Sequence, residues 1–146
     1  MIRLNLSTDY ALRTLLFLAS RPGGHCSTRE VAEFYEISAD HVSKVVQTLA
    51  RAGVVRAERG RGGGIRLARK PADVTVGEIV ELFEGPVALL ACVNTDDVCT
   101  IQPSCRLRLI LDDAGRQLIL RLRQVTLSDL AVPEPAALIQ LEPAAK

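Results

Sequence analysis

Cys92, Cys99 and Cys105 lie within fourteen residues of a 146-residue chain. Thiolates clustered in this way can hold a metal ion or an iron–sulfur cluster. The spacing, Cys92-x6-Cys99-x5-Cys105, does not match the paired Cys-x-x-Cys hooks of zinc sites. Wider, unequal gaps let a loop wrap a bulkier object. Three thiolates leave one position for a ligand from elsewhere, and a replaceable fourth ligand suits a sensor. By spacing alone three readings stand: an iron–sulfur cluster, a zinc site, or free buried thiols. Cys26 is distant in sequence and reads as a half-buried small residue in a turn. His25 and His41 are the only histidines, and neither lies near the cysteines. No Ser/His/Asp or Cys/His triad can be nominated, so the chain reads as a binding protein and not an enzyme.

A second constellation precedes the cysteines. Ser38, Asp40, His41, Ser43, Lys44, Gln47, Thr48 and Arg51 fall on one face of a short amphipathic helix. Short donors and acceptors with two cations suit base edges and phosphates in a major groove. Next come Arg56, Arg59, Arg61 and Arg66 around Gly60, Gly62, Gly63 and Gly64. Arginines on a glycine-rich turn suit close approach to phosphates or entry into a minor groove. The plain alternative is a solvated charged helix beside a hairpin. A nucleotide-binding loop is rejected, because Gly60-Arg61-Gly62-Gly63-Gly64 lacks the Gly-Lys-Ser/Thr ending and no helix opens after it.

Charge supports the nucleic-acid reading. Residues 1–70 carry twelve Lys/Arg and six Asp/Glu, a balance of +6, whereas residues 71–146 carry six and eleven, a balance of −5. The whole chain is only +1. Such a split fits a nucleic-acid-binding half joined to a half with another task.

The elements that must position these groups follow from periodicity. Leu12, Leu15, Leu16 and Ala19 predict a helix over 7–20, stopped by Pro22-Gly23-Gly24. Ser27-Thr28-Arg29-Glu30 is a capping box for a short helix through Phe34. After a turn at 35–38, a helix over 39–52 turns Val42, Val45, Val46 and Leu49 inward and ends at Gly53. Residues 54–57 and 64–67 predict two strands, the wing. Thr75-Val76-Gly77-Glu78 is a second capping box, opening a helix through Phe83. Residues 91–104 form an aperiodic loop carrying the cysteines.

A long helix over 105–124 bears a stripe of Leu107, Leu111, Ala114, Leu118, Leu122 and Val125. Leu109, Ile110, Ile119 and Leu120 add apolar surface beyond what one small domain buries, which implies a partner subunit. Residues 126–130 predict a further turn of helix, and the tail from Pro133 reads as frayed. The fold class is therefore mainly α with a small β-wing: a winged helix-turn-helix plus a long dimerisation helix. The expected divisions are 1–84 for DNA binding, 85–105 for the cluster loop, 106–130 for dimerisation and 131–146 for a flexible tail.

With 48% hydrophobic and 24% charged residues, disorder throughout is excluded. Aromatics are 3%, so Leu, Val, Ile and Ala must build the core. Arg3, Asp9 and Arg13 interrupt any secretory h-region, and no stretch approaches the roughly 20 apolar residues of a membrane span. The expected location is the cytoplasm, where clustered cysteines serve as ligands or redox groups more often than as disulfides.

These residues resemble the IscR/NsrR (Rrf-type) winged-helix regulators. The opening Leu4-Asn5-Leu6-Ser7-Thr8-Asp9-Tyr10-Ala11-Leu12-Arg13 is similar to that group's first helix. His41-Val42-Ser43-Lys44-Val45-Val46-Gln47-Thr48-Leu49 and Arg59-Gly60-Arg61-Gly62-Gly63-Gly64-Ile65-Arg66-Leu67 resemble its recognition helix and wing. Cys99-Thr100-Ile101-Gln102-Pro103-Ser104-Cys105-Arg106-Leu107 and Val125-Thr126-Leu127-Ser128-Asp129-Leu130 resemble segments of its nitric-oxide-sensing branch. The resemblance spans about residues 1–130 in order.

The resemblance implies a homodimeric repressor that crosses its long helices and binds a double-stranded DNA operator, with nitric oxide as its signal. It implies a [4Fe–4S] cluster, with [2Fe–2S] as the alternative, on Cys92, Cys99 and Cys105. It places Asp9 of the other subunit as the fourth ligand. In the cluster-assembly branch a histidine three residues after the last cysteine serves instead, and here that position is Arg108. For Asp9 the plain alternative is a first-turn charge favoured by the helix dipole. Rival functions are the same fold sensing iron, oxygen or redox state, a zinc-stapled DNA-binding protein, and a cluster-bearing electron carrier.

Overall fold

The fold of the chain was analysed in a computed structural model, which describes residues 3–58, 63–96 and 99–131. Helix α1 spans Leu6–Ser20 and is started by Asn5, whose side-chain oxygen accepts from Thr8 N at 2.8 Å. Helix α2, Thr28–Tyr35, opens on the expected capping box: Ser27 Oγ accepts from Glu30 N, and Glu30 reaches back to Ser27 N at 2.7 Å. The Ser27 N–H together with Arg21 holds the Glu30 carboxyl down at about 2. Glu36 closes α2 in the left-handed conformation (φ 54°). Ser38 then caps helix α3, Ala39–Arg51, and Gly53, at φ 71°, turns the chain out of it.

Strands β2, Val55–Glu58, and β3, Gly64–Leu67, form the expected antiparallel hairpin, with Arg56 opposite Arg66. A third strand was not expected. Strand β1, His25–Cys26, pairs with the outer edge of β3 and sets Cys26 opposite Ile65. Two residues are too short to show an alternating pattern. This pairing corrects the reading of Cys26 as half-buried in a turn: it is 1% exposed and belongs to the core. The approach of the strands is close. A Cβ at Gly64 would stand 2.4 Å from the Cys26 carbonyl oxygen, so only glycine fits there.

Helices α1, α2 and α3 and the sheet enclose one core of Leu15, Leu18, Val31, Val42, Leu49, Ile65 and their neighbours. On α1 the buried face is Ala11, Leu15 and Leu18, while Leu12, Leu16 and Ala19 stand at its margin. Helix α4, Val76–Glu84, is capped by Thr75, which accepts from Glu78 N at 3.2 Å. The reciprocal half of that capping box is missing. Glu78 turns to Arg69 at 2.5 Å, where a full counter-charge outcompetes a backbone N–H.

The cysteine region is not wholly aperiodic. It contains the short helix α5, Ala91–Asn94, and a 3-10 turn at Gln102–Ser104. Helix α6, Arg106–Arg123, then packs against α4, burying Ile119 with Val76 and Val80. Close approach of the two helices needs Gly77 of α4, where a Cβ would stand 2.7 Å from the Arg123 backbone nitrogen, and Gly115 of α6 lets the segment after α4 come near, its Cβ position lying 3.0 Å from the Val87 carbonyl oxygen. Only the C-terminal end of the apolar stripe read from sequence packs within the chain, where Leu122 and Val125 join Ile119 against Val76 and Val80. Gly115 and Ile119 are buried, whereas Leu107 and Leu118 stay exposed, as do Leu109, Ile110 and Leu120.

Helix α7, Leu127–Leu130, opens on a capping box of Thr126 and Asp129. Leu127 donates its N–H to Val74 O at 2.9 Å and is fully buried in the first core. The end of the long helix is thereby fastened to the elements that carry α3. Among the described residues no helix is long and apolar enough to cross a membrane.

Candidate functional site

Helix α3 presents its polar face outward because Val42, Val45, Val46 and Leu49 hold the other face in the core. His41, Lys44, Gln47 and Arg51 are exposed, and Ser43 and Thr48 are half-buried. Ser38 has a structural duty as well: its hydroxyl accepts from His41 N at 3.4 Å. Thr48 donates to the Lys44 carbonyl at 3.4 Å and accepts from Arg51 at 3.3 Å. Arg51 is thus steered along the helix face. The set lies along one face of α3, with Ser43 and Thr48 at its half-buried margin.

On the wing, Arg56 and Arg66 lie side by side across β2 and β3. Arg66 is countered by Glu58 at 2.9 Å, a partner two residues beyond Arg56 that sequence reasoning passed over. Gly63 leads into β3, while Arg59, Arg61 and Gly62 lie outside the described residues.

Each cysteine of the loop hangs on a different element. Cys92 sits on α5 and is half-buried, Cys99 is exposed in the loop, and Cys105 is the half-buried cap residue of α6. All four cysteines of the chain are free thiols. Cys105 makes no side-chain capping bond. The first N–H groups of α6 thus lack a side-chain cap, at the end of the helix that favours an anion. Three unpaired soft donors on one loop fit an iron–sulfur cluster by their chemistry. The thiols do not converge here: among the described residues no three His, Cys, Asp or Glu side chains are grouped to hold a metal.

Two residues that spacing did not flag shape this loop. Gln102 is 6% exposed, and its amide donates to the carbonyls of Cys92 at 3.0 Å and Thr95 at 2.6 Å. Arg108 donates to the Val93 carbonyl at 3.3 Å and pairs with Asp96 at 3.4 Å. Arg108 is therefore a brace of this loop.

Asp9 lies in the first turn of α1 and joins no metal-holding group among the described residues. Its carboxylate accepts from Arg13 at 2.9 Å, and Arg13 stands 5.7 Å from the centre of the Tyr35 ring on α2. Burial pushes the Tyr35 hydroxyl upward, with Arg13 opposing and Asp9 adding to the shift. The next residue, Tyr10, brings its ring 6.0 Å from that of His41 on α3. Asp9 also borders a cleft of about 550 Å³ lined by Arg3, Leu4, Leu6 and Leu12.

Residues 4–133 match the profile of the Rrf2 family, described as an iron-dependent transcriptional regulator. The chain belongs to the Rrf2 family of transcriptional regulators. Like its relatives, this Rrf2 protein is a regulator of transcription and not an enzyme. It is 38% identical to the HTH-type transcriptional regulator NsrR of Shouchella clausii, over 91% of each chain. It is 40% identical to the NsrR of Bacillus subtilis, over 88% of this chain and 90% of that one. Among solved structures it resembles CymR, the global cysteine regulator of B. subtilis, with a TM-score of 0.70 and 26% identity over 90% of this chain and 97% of that one. IscR of T. potens, at 24% identity over 88% of this chain and 85% of that one, shares the fold with a TM-score of 0.70. The expected winged-helix fold class is thus borne out.

Proposed function

We propose that this Rrf2 protein is a homodimeric repressor that binds operator DNA and senses nitric oxide through an iron–sulfur cluster, most simply [4Fe–4S]. The observation that carries this reading is the set of three free thiols on one loop, in a chain 38–40% identical to NsrR proteins over most of its length. Cys92, Cys99 and Cys105 would hold the cluster, and Asp9 of the second subunit would supply the fourth ligand. When bound, the cluster supplies an iron that a small diatomic molecule can reach, since an oxygen ligand holds iron less firmly than a thiolate.

The protein's own residues account for the link to DNA. Asp9 and Tyr10 share one turn of α1, and α1 buries Ala11, Leu15 and Leu18 in the same core as Val42, Val45 and Leu49 of α3. A change in the hold on Asp9 therefore acts on a helix that is packed directly behind the recognition row. Ser38, His41, Ser43, Lys44, Gln47, Thr48 and Arg51 would read or anchor the operator, with Arg59, Arg61, Gly62 and Gly63 of the wing on the backbone. The exposed Leu107, Leu109, Ile110, Leu118 and Leu120 of α6 support an interface with a second copy.

Anaerobic purification tests the cofactor first. Absorbance in the visible region with about four iron and four sulfide per chain is the expected result, and zinc or no metal would refute it. The family's description as iron-dependent favours a second reading, in which loss of iron is the signal. Operator release on chelation, with no response to nitric oxide, would select it.

A further inference from the structure

We propose that Gln102 is a positioning residue that folds the cysteine loop before any cluster is present. This rests on the reading of Cys92, Cys99 and Cys105 as ligands. Gln102 is hydrogen-bonded to the main chain of all three cysteines. Its amide nitrogen donates to the Cys92 carbonyl at 3.0 Å. Its backbone N–H donates to the Cys99 carbonyl at 3.0 Å, and its own carbonyl accepts from Cys105 N at 3.3 Å.

The chemistry of the site requires such a group. Helix α5 is four residues long, so its carbonyls have few partners within the helix. A carboxamide carries two N–H donors, and Gln102 directs both to this short segment, at Cys92 within α5 and at Thr95 just after it. Arg108 braces the same short helix at Val93. Gln102 is also the buried member of its turn, at 6% exposure, whereas its neighbours Ile101 and Pro103 are exposed. A glutamine lying there on a flexible surface loop would gain nothing from burial. One that joins two segments across ten residues of sequence sets where the Cys92 backbone stands relative to Cys99 and Cys105. Groups of this kind behind a metal's ligands commonly change its retention by about 10- to 100-fold.

Gln102→Leu removes both donors at similar volume, and Gln102→Glu replaces the donors with an acceptor. In cluster-free protein, amide hydrogen exchange at Val93, Gln102 and Cys105 should accelerate in both variants, with α1–α3 unchanged as a check on folding. In the loaded proteins, iron loss to a chelator should quicken by about tenfold or more while the initial iron content matches the parent. Equal exchange in parent and variants would overturn the proposal. Faster exchange with unchanged iron retention would overturn it also, leaving Gln102 as loop scaffolding alone. If the parent itself takes up no cluster, the ligand reading fails, and the exchange comparison still decides whether Gln102 orders the loop.

Discussion

Arg13 holds the Asp9 carboxylate at 2.9 Å, one helical turn away, on the surface from which Asp9 would have to reach a second subunit. The cation therefore competes with any metal for that carboxylate. Both side chains are 41% exposed, so the pair itself contributes less than about 1 kcal/mol to stability. Arg13→Gln should leave the urea midpoint nearly unchanged. It should slow the reaction of the loaded protein with nitric oxide, followed by stopped-flow absorbance, because Asp9 is freed to bind more firmly. An equal or faster rate would remove Asp9 from the ligand set or Arg13 from the competition.

The start of α1 is tied to the end of α4. Glu84 accepts from Asn5 N at 2.7 Å and from the fully buried Thr8 hydroxyl at 2.5 Å, and Asn5 donates to the Phe83 carbonyl. Glu84→Ala should cost about 1.5–3 kcal/mol in urea unfolding, the range for hydrogen bonds to a charged group. Glu84→Gln should recover most of that, since it keeps an acceptor oxygen. A neutral alanine variant would show that the N-terminus of α1 is held by packing alone.

Burial pushes the Cys26 thiol up to about 12, with Glu30 adding to the shift and Arg21 opposing it. The folded state thus favours the neutral thiol. Its contribution to stability is complete below the unfolded value near 9 and falls as pH climbs from there toward 12. At pH 8 in cluster-free protein, iodoacetamide should label Cys99 readily and spare Cys26, as read by mass spectrometry. Labelling of Cys26 at a comparable rate would mean that β1 does not stay paired to β3.

Helix α6 leaves Leu109 and Ile110 about two-thirds exposed, at 66% and 65%. Their burial against a second copy predicts a dimer in analytical ultracentrifugation. Ile110→Glu should yield monomers whose far-ultraviolet circular dichroism matches the parent. A stable dimer of the variant would move the interface elsewhere.

Helix starts were legible where a side chain reaches a backbone N–H three residues on, as at Ser27 and Thr75, because that chemistry is local. The recognition row was legible because Val42, Val45, Val46 and Leu49 leave only one face for it. Choices between competing partners were not. Glu78 could complete its capping box or meet Arg69, and only the tertiary approach of Arg69 decides. Helix α6 carries more than one apolar face, and Gly115 against the Val87 carbonyl selects which one turns inward. Strand β1 was hidden by its length, and Gln102 because a polar residue in a loop gives no sign of being buried.

The measurement that bears most directly on the account is operator affinity of the anaerobically loaded protein, by fluorescence anisotropy, before and after nitric oxide, beside Cys105→Ser. Tight operator binding by the loaded parent, release after nitric oxide, and a Cys105→Ser protein that is colourless and indifferent to the gas are the expected results. Equal affinity before and after nitric oxide, or a coloured and responsive Cys105→Ser protein, would contradict the account.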